Sequence, residues 1–93
     1  MDKEADWFYL QGFRIDTSST SLNVTDKNIT ECLVACIEHT DFNCYSVVSH
    51  KLDPSYCTLY ATDRSGGNIL FVPDADYEYW EALYKGLLQF VYN

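Results

Sequence analysis

The first recognisable pattern is a dense aromatic run, Trp7-Phe8-Tyr9-Leu10-Gln11-Gly12-Phe13-Arg14-Ile15. Trp7, Tyr9, Phe13 and Ile15 share one parity, so residues 7–15 read as a strand with one face on a core. Gly12 marks a bulge or a close backbone approach. Residues 16–27 are rich in Ser, Thr and Asp and read as a loop. The period then changes. Ile29, Cys32, Leu33, Cys36 and Ile37 recur at the i, i+3, i+4, i+7, i+8 spacing of one apolar helical face. Asn28 is the expected N-cap, with Glu31 three residues on as in a capping box, and the helix is expected over 29–38.

Beyond the helix the period returns to two. Tyr45 to Lys51 reads as a strand, Asp53-Pro54-Ser55 as turn chemistry, and Tyr56 to Ala61 as the returning strand of a hairpin. Cys57, Leu59 and Ala61 are expected to face the helix, and Tyr56, Thr58 and Tyr60 the other side. Residues 63–68 form a loop around Gly66-Gly67. Ile69 to Val72 is a minor strand ended by Pro73, and Tyr77 to Tyr84 a last strand, with a helix over 78–92 as the alternative. The apolar tail 85–93 is left unassigned. The pattern contains no internal repeat. It amounts to a single domain, residues 1–93 with a core over about 7–84. The expected class is α+β, one short helix laid across a small antiparallel sheet.

Composition narrows the setting. Ninety-three residues support only a modest core, so covalent staples are expected. With 47% hydrophobic residues the chain is too apolar for disorder, despite a net charge of -8. The acidic balance excludes nucleic acid and heparin, which need clustered Lys and Arg. No apolar run approaches the roughly 18–20 residues of a membrane span, so direct membrane insertion is not expected. The N-terminus is charged and lacks the apolar core of a secretion signal, so a secreted chain would be excised from a longer precursor.

All four cysteines lie between residues 32 and 57, as C-x3-C-x7-C-x12-C. The spacings are longer and less regular than those of zinc sites, and no cysteine stands out beside His39 or His50 as a catalytic thiol. Disulfides are the favoured use. Two sequons, Asn23-Val24-Thr25 and Asn28-Ile29-Thr30, point the same way, toward the secretory route. Cys32 and Cys36, one helical turn apart, are too distant to pair with each other. The chain turns back through 39–43, which sets Cys36 against Cys44 and leaves Cys32, one turn deeper, for Cys57. The expected pairing is nested.

These residues resemble the PAN/apple module. The resemblance rests on Asn28-Ile29-Thr30-Glu31-Cys32-Leu33-Val34-Ala35-Cys36, Cys44-Tyr45-Ser46-Val47, Cys57-Thr58-Leu59-Tyr60 and Tyr77-Glu78-Tyr79-Trp80-Glu81, and covers about Trp7 to Tyr84. The family's core bridges are nested, in agreement with the pairing above. No cysteine precedes Cys32 or follows Cys57, so the third bridge of coagulation-type apple domains is missing and the chain looks like the four-cysteine form. The resemblance implies a non-enzymatic extracellular module that binds protein or carbohydrate, with flanking domains in a larger chain and no cofactor.

Aromatic residues are the candidate ligand contacts, because Tyr and Trp dominate hot spots and stack on sugar rings. Tyr56, Tyr60, Tyr79 and Trp80 are the chosen positions. Asp74, Asp76, Glu78 and Glu81 lack a calcium loop's bend glycine and closing Glu, and read as charges on a solvated strand edge. A second reading of the whole chain is a structural spacer of a matrix or cuticle protein without a discrete ligand.

Overall fold

The computed structural model describes residues 5–66 and 69–84. The elements are β1 (Ala5–Thr17), β2 (Ser21–Thr25), α1 (Ile29–Glu38), β3 (Ser46–His50), β4 (Asp53–Tyr60) and β5 (Ile69–Tyr84). The strands form one antiparallel sheet in the order β1-β5-β3-β4-β2. Helix α1 lies against β3 and β4. The architecture is thus one helix on a five-stranded sheet, with strand the dominant element. Part of the 63–68 loop and the tail 85–93 fall outside the described residues.

Helix α1 starts and stops where its sequence says. The Asn28 Oδ1 accepts the Glu31 N–H at 2.9 Å, and the Glu31 carboxylate accepts the Asn28 N–H at 3.0 Å, a complete capping box. The face bearing Cys32 and Cys36 is buried. Ten residues are too few to hold a helix in water, so its stability comes from what it is tied to. Cys32 is bonded to Cys57 of β4 and Cys36 to Cys44 just before β3, the nested arrangement. The four cysteines, Val47 and Leu59 form the buried core under the helix, with Trp7, Val24, Ile29, Leu33 and Trp80 around it. The entry to β3 is pinned as well. The Tyr45 N–H donates to the Tyr60 carbonyl, the Ala82 N–H to the Tyr45 carbonyl, and the Tyr84 hydroxyl to the Cys44 carbonyl at 2.6 Å.

Four expectations change, three of them in where strands begin and end. Residues 21–25, expected as loop, form edge strand β2. Their polar composition hides a period of two, in which Leu22 and Val24 pair with Leu59 and Cys57 on the helix side. Asp53-Pro54-Ser55 belongs to β4, and the turn is Lys51-Leu52. Pro54 is tolerated because it falls in the register break between the pairs His50–Asp53 and Ser49–Cys57, and the β2 pairing ends at Tyr56, so neither ladder pairs it. The two short closing strands are one, running through Pro73. Since β3 reaches only to Tyr77, Pro73 has a strand neighbour on the β1 side alone.

That long strand is sharply bent. Phe71 and Tyr79 are eight residues apart, about 27 Å along a straight strand, yet their ring centroids lie 4.8 Å apart. The bend sits where the β1–β5 register jumps, between the pairs Gln11–Glu78 and Phe13–Pro73. Gly12 occupies the jump with φ +84°, a left-handed conformation. The far ends of β1 and β5 therefore fold back over the sheet face opposite α1. Ile15, Val48 and Tyr79 form a second core there, with Leu10, Phe13, Tyr60, Ile69 and Phe71 around it. The expected single parity of Trp7, Tyr9, Phe13 and Ile15 is corrected by the same bulge. Trp7 and Tyr9 stay on the helix side, while Phe13 and Ile15 switch to the other.

Replacing Cys32 and Cys57 together by alanine is expected to lower the unfolding free energy by about 3.5 kcal/mol, and Cys36 with Cys44 by about 2.5 kcal/mol, on loop-closure grounds. Urea unfolding of the two double variants measures the order and the size. Gly12→Ala is expected to cost about 1–2 kcal/mol from backbone strain at its positive φ, with no clash added, since the nearest atom to a new Cβ is the Asp74 carbonyl oxygen at 4.0 Å. Gly12→Asn, which tolerates the left-handed region, should cost less in the same measurement.

Candidate functional site

The folded-back arm does not close completely on the sheet. Between it and the β2–β4 edge lies a cleft of about 250 Å³, lined by Arg14, Ile15 and Asp16 from the arm, Ser21 and Asn23 of β2, Tyr56, Thr58 and Tyr60 of β4, and Val48 and Tyr77. Its size is just under the roughly 300–1,000 Å³ of drug-sized sites, which suits one sugar ring or one side chain. The register explains the floor. Tyr56, Thr58 and Tyr60 alternate away from the helix, and Asn23 and Ser21 are their cross-strand partners on β2.

One guanidinium at the cleft serves two carboxylates, so the local balance is negative. The Arg14 Nε donates to Asp74 at 3.0 Å, and the same guanidinium pairs with Asp16. The bond to Asp74 leads the effects that raise the Arg14 pKa. The Tyr60 pKa is also raised, first by burial and then by Tyr56, Asp16 and Tyr77 close by. The Thr58 Oγ1 donates to the Asn23 Oδ1 at 3.0 Å. His50 meets the Tyr77 ring edge-on, with centroids 4.6 Å apart. The cleft thus presents phenol faces, hydroxyls, an amide and an arginine held between two aspartates. These groups favour a neutral polar ligand over an anion.

The sequence-chosen aromatics do not form one site. Tyr56 and Tyr60 share the cleft. Tyr79 is 0% exposed. Its hydroxyl donates to Glu81 at 2.7 Å and accepts the Arg64 N–H at 2.9 Å, while the Arg64 Nε donates to Glu81 at 3.0 Å. The Arg64 guanidinium lies 4.3 Å from the Phe8 ring centroid. Tyr79 is therefore a core residue anchoring a buried polar network, out of reach of any ligand. Trp80 lies on the opposite face, against the helix-side core and 4.3 Å from the Tyr9 ring. Arg14 and Asp16, which the sequence reading passed over, reach the cleft only through the bend at Gly12. The paired presence of Gly12 and Pro73 was the available signal.

The remaining candidates are also placed. Asn23 and Asn28 are both exposed. The acidic residues of β5 diverge: Asp74 pairs with Arg14, Glu78 accepts from the Tyr9 hydroxyl, and Glu81 serves Tyr79 and Arg64. A second hollow of about 280 Å³ lies between the helix N-terminus and the β3–β4 turn, lined by Asn28, Ile29, Ser49, His50, Lys51, Pro54 and Glu78. Among the described residues no helix is long and apolar enough to cross a membrane. No family model and no curated protein matches this chain.

Several phenols are held neutral by their surroundings. The hydrogen bond to Glu78 is the main cause that pushes Tyr9 up to about 12. Burial raises Tyr79 and Tyr84, the first with help from Glu81 and the second from Tyr45. A tyrosine whose folded pKa exceeds its unfolded value stabilises the fold fully below about pH 10 and loses that contribution as pH rises toward the folded value. Alkaline titration followed by phenolate absorbance should show the phenols ionising in separate stages. Tyr79 and its neighbours should ionise later, in one step with loss of near-ultraviolet circular dichroism. All phenols titrating together with the fold intact would contradict this.

Proposed function

We propose that this chain is an extracellular recognition module of PAN/apple type, in the four-cysteine form, working within a larger multidomain protein. It acts by binding rather than catalysis. Its ligand is a neutral polar group, a sugar ring or a peptide side chain on a partner, held in the cleft over Tyr56 and Tyr60.

The observation that carries the reading is the nested pair of bridges. A short capped helix is clamped to the central hairpin from one side, as the resemblance implies, and the other side is left for recognition. Two disulfides in so small a domain suit an oxidising compartment, and the two sequons agree with a secretory route. The cleft adds ring faces for stacking, with hydroxyl and amide groups placed around them for hydrogen bonds. The acidic balance and the neutralised Arg14 make polyanions poor ligands.

The test is a glycan array and a peptide array, with hits measured by calorimetry. Tyr60→Ala is expected to weaken the strongest hit by about 2 kcal/mol, roughly thirtyfold. Trp80→Ala, on the opposite face, should leave affinity unchanged wherever the variant is fully folded. Signals that never exceed background would favour the spacer role. Loss on Trp80→Ala with none on Tyr60→Ala would move the site to the helix side.

A further inference from the structure

The cleft has one feature that no outside ligand explains: an acceptor asparagine stands on its rim. Asn23 heads the sequon Asn23-Val24-Thr25, is exposed, and lies on β2, the strand at the sheet's edge. It points to the same side as Thr58, its partner across the ladder. The bond from Thr58 engages the Asn23 Oδ1. Nδ2, the atom that carries an N-linked sugar, has no hydrogen-bond partner among the described residues. On β4 the neighbours of Thr58 on the same face are Tyr56 and Tyr60. Each is a diagonal neighbour of Asn23, about 7–8 Å away and within reach of a ring attached to the amide.

We propose that Asn23 carries an N-glycan whose first sugar ring lies in the cleft against Tyr56 and Tyr60, so that glycosylated copies of the protein present a closed site and unmodified copies an open one. The inference rests on the secretory reading above and adds regulation to the same cleft. The transfer balances simply. The Asn23 amide nitrogen displaces the diphosphate from C1 of a lipid-diphosphate-linked oligosaccharide. The C1–O bond breaks, the C1–Nδ2 bond forms, the lipid diphosphate leaves, and one amide proton is released.

The cleft fits this occupant. Its one cation is already engaged by two aspartates, and its ring faces match the apolar face of a sugar. Because the sugar is tethered, stacking needs no intrinsic affinity beyond the weak gain of the contact itself. Asn28 provides an internal control. Its sequon is equally exposed, but its side chain caps the helix and borders the second hollow, so a sugar there does not approach the tyrosines.

The experiment expresses the chain behind a secretion signal in a glycosylating host, as wild type, Asn23→Gln, Thr25→Ala and Asn28→Gln. Peptide mass spectrometry reads occupancy at each asparagine. Nitration by tetranitromethane then reads the exposure of Tyr56 and Tyr60. The expected result is an occupied Asn23, with nitration of both tyrosines severalfold slower in wild type and Asn28→Gln than in the other two. Thr25→Ala removes the sequon while keeping the Asn23–Thr58 bond, so a folding defect of Asn23→Gln is separated from loss of the sugar. An unoccupied Asn23, whether or not Asn28 is occupied, overturns the proposal, as does equal nitration in all four proteins. No outside ligand enters the measurement, so its failure leaves the array test of the cleft standing, and the reverse.

Discussion

The bond between Cys32 and Cys57 is the constraint on which the rest of the fold depends. It joins the first turns of α1 to the middle of β4, and β4 lies between β3 and β2. All three strands therefore take their position relative to the helix from one covalent point. The inner bridge, Cys36 to Cys44, then fixes the length of the return between helix and β3. The four sulfurs are almost fully buried and sit beside Val47 and Leu59. They are packing groups as well as tethers, which matters in a domain with so few large aliphatic side chains at its centre. A ten-residue helix without this attachment would be marginal in water.

The helix and the bridges were legible because their signals are local. The apolar stripe, the Asn28–Glu31 capping box and the turn that sets Cys36 against Cys44 all lie within 17 consecutive residues. The facing of β4 was legible for a similar reason, since Cys57 sets the parity of Tyr56, Thr58 and Tyr60. The rest of the sheet was harder. β2 is short, polar and at an edge, so its composition resembles a loop until β4 is there to pair with it. The bend in β1 and β5 is a property of two strands roughly sixty residues apart. Gly12 announced an irregularity, but not that the register would jump opposite it. Trp80 and Tyr79 illustrate the consequence. Trp80 lies on the helix face, and Tyr79 lies on the face of the cleft but wholly buried beneath the arm.

Charge is distributed in a way that suits this shape. The chain carries 14 acidic and 6 basic residues, and its arginines sit where acids must be held. Arg14 joins Asp16 of β1 to Asp74 of β5 and ties together the two strands of the arm close to the bend. Arg64 reaches from the loop after β4 to the nearly buried Glu81, and also covers Phe8. A carboxylate as buried as Glu81 requires such partners, because desolvation without them would be costly. The Tyr79 hydroxyl completes that set, which is why the largest fully buried side chain among the described residues is a tyrosine rather than a phenylalanine.

A single sheet has two faces, and the described residues hold one helix with which to cover them. α1 and the bridges take one face. The other bears Val48, Tyr60, Tyr77 and Tyr79, too apolar to leave in water as an open patch without inviting association. Folding the ends of β1 and β5 back over it solves the problem with the sheet's own strands. The cover is narrower than the face, however, since β2 and β4 extend beyond it. What stays uncovered is a strip with tyrosines on the floor, an ion pair on one wall and an asparagine on the other. The cleft is thus the direct result of covering a five-stranded sheet with a two-stranded arm. Residues that shift the bend, Gly12 above all, control its width without lining it.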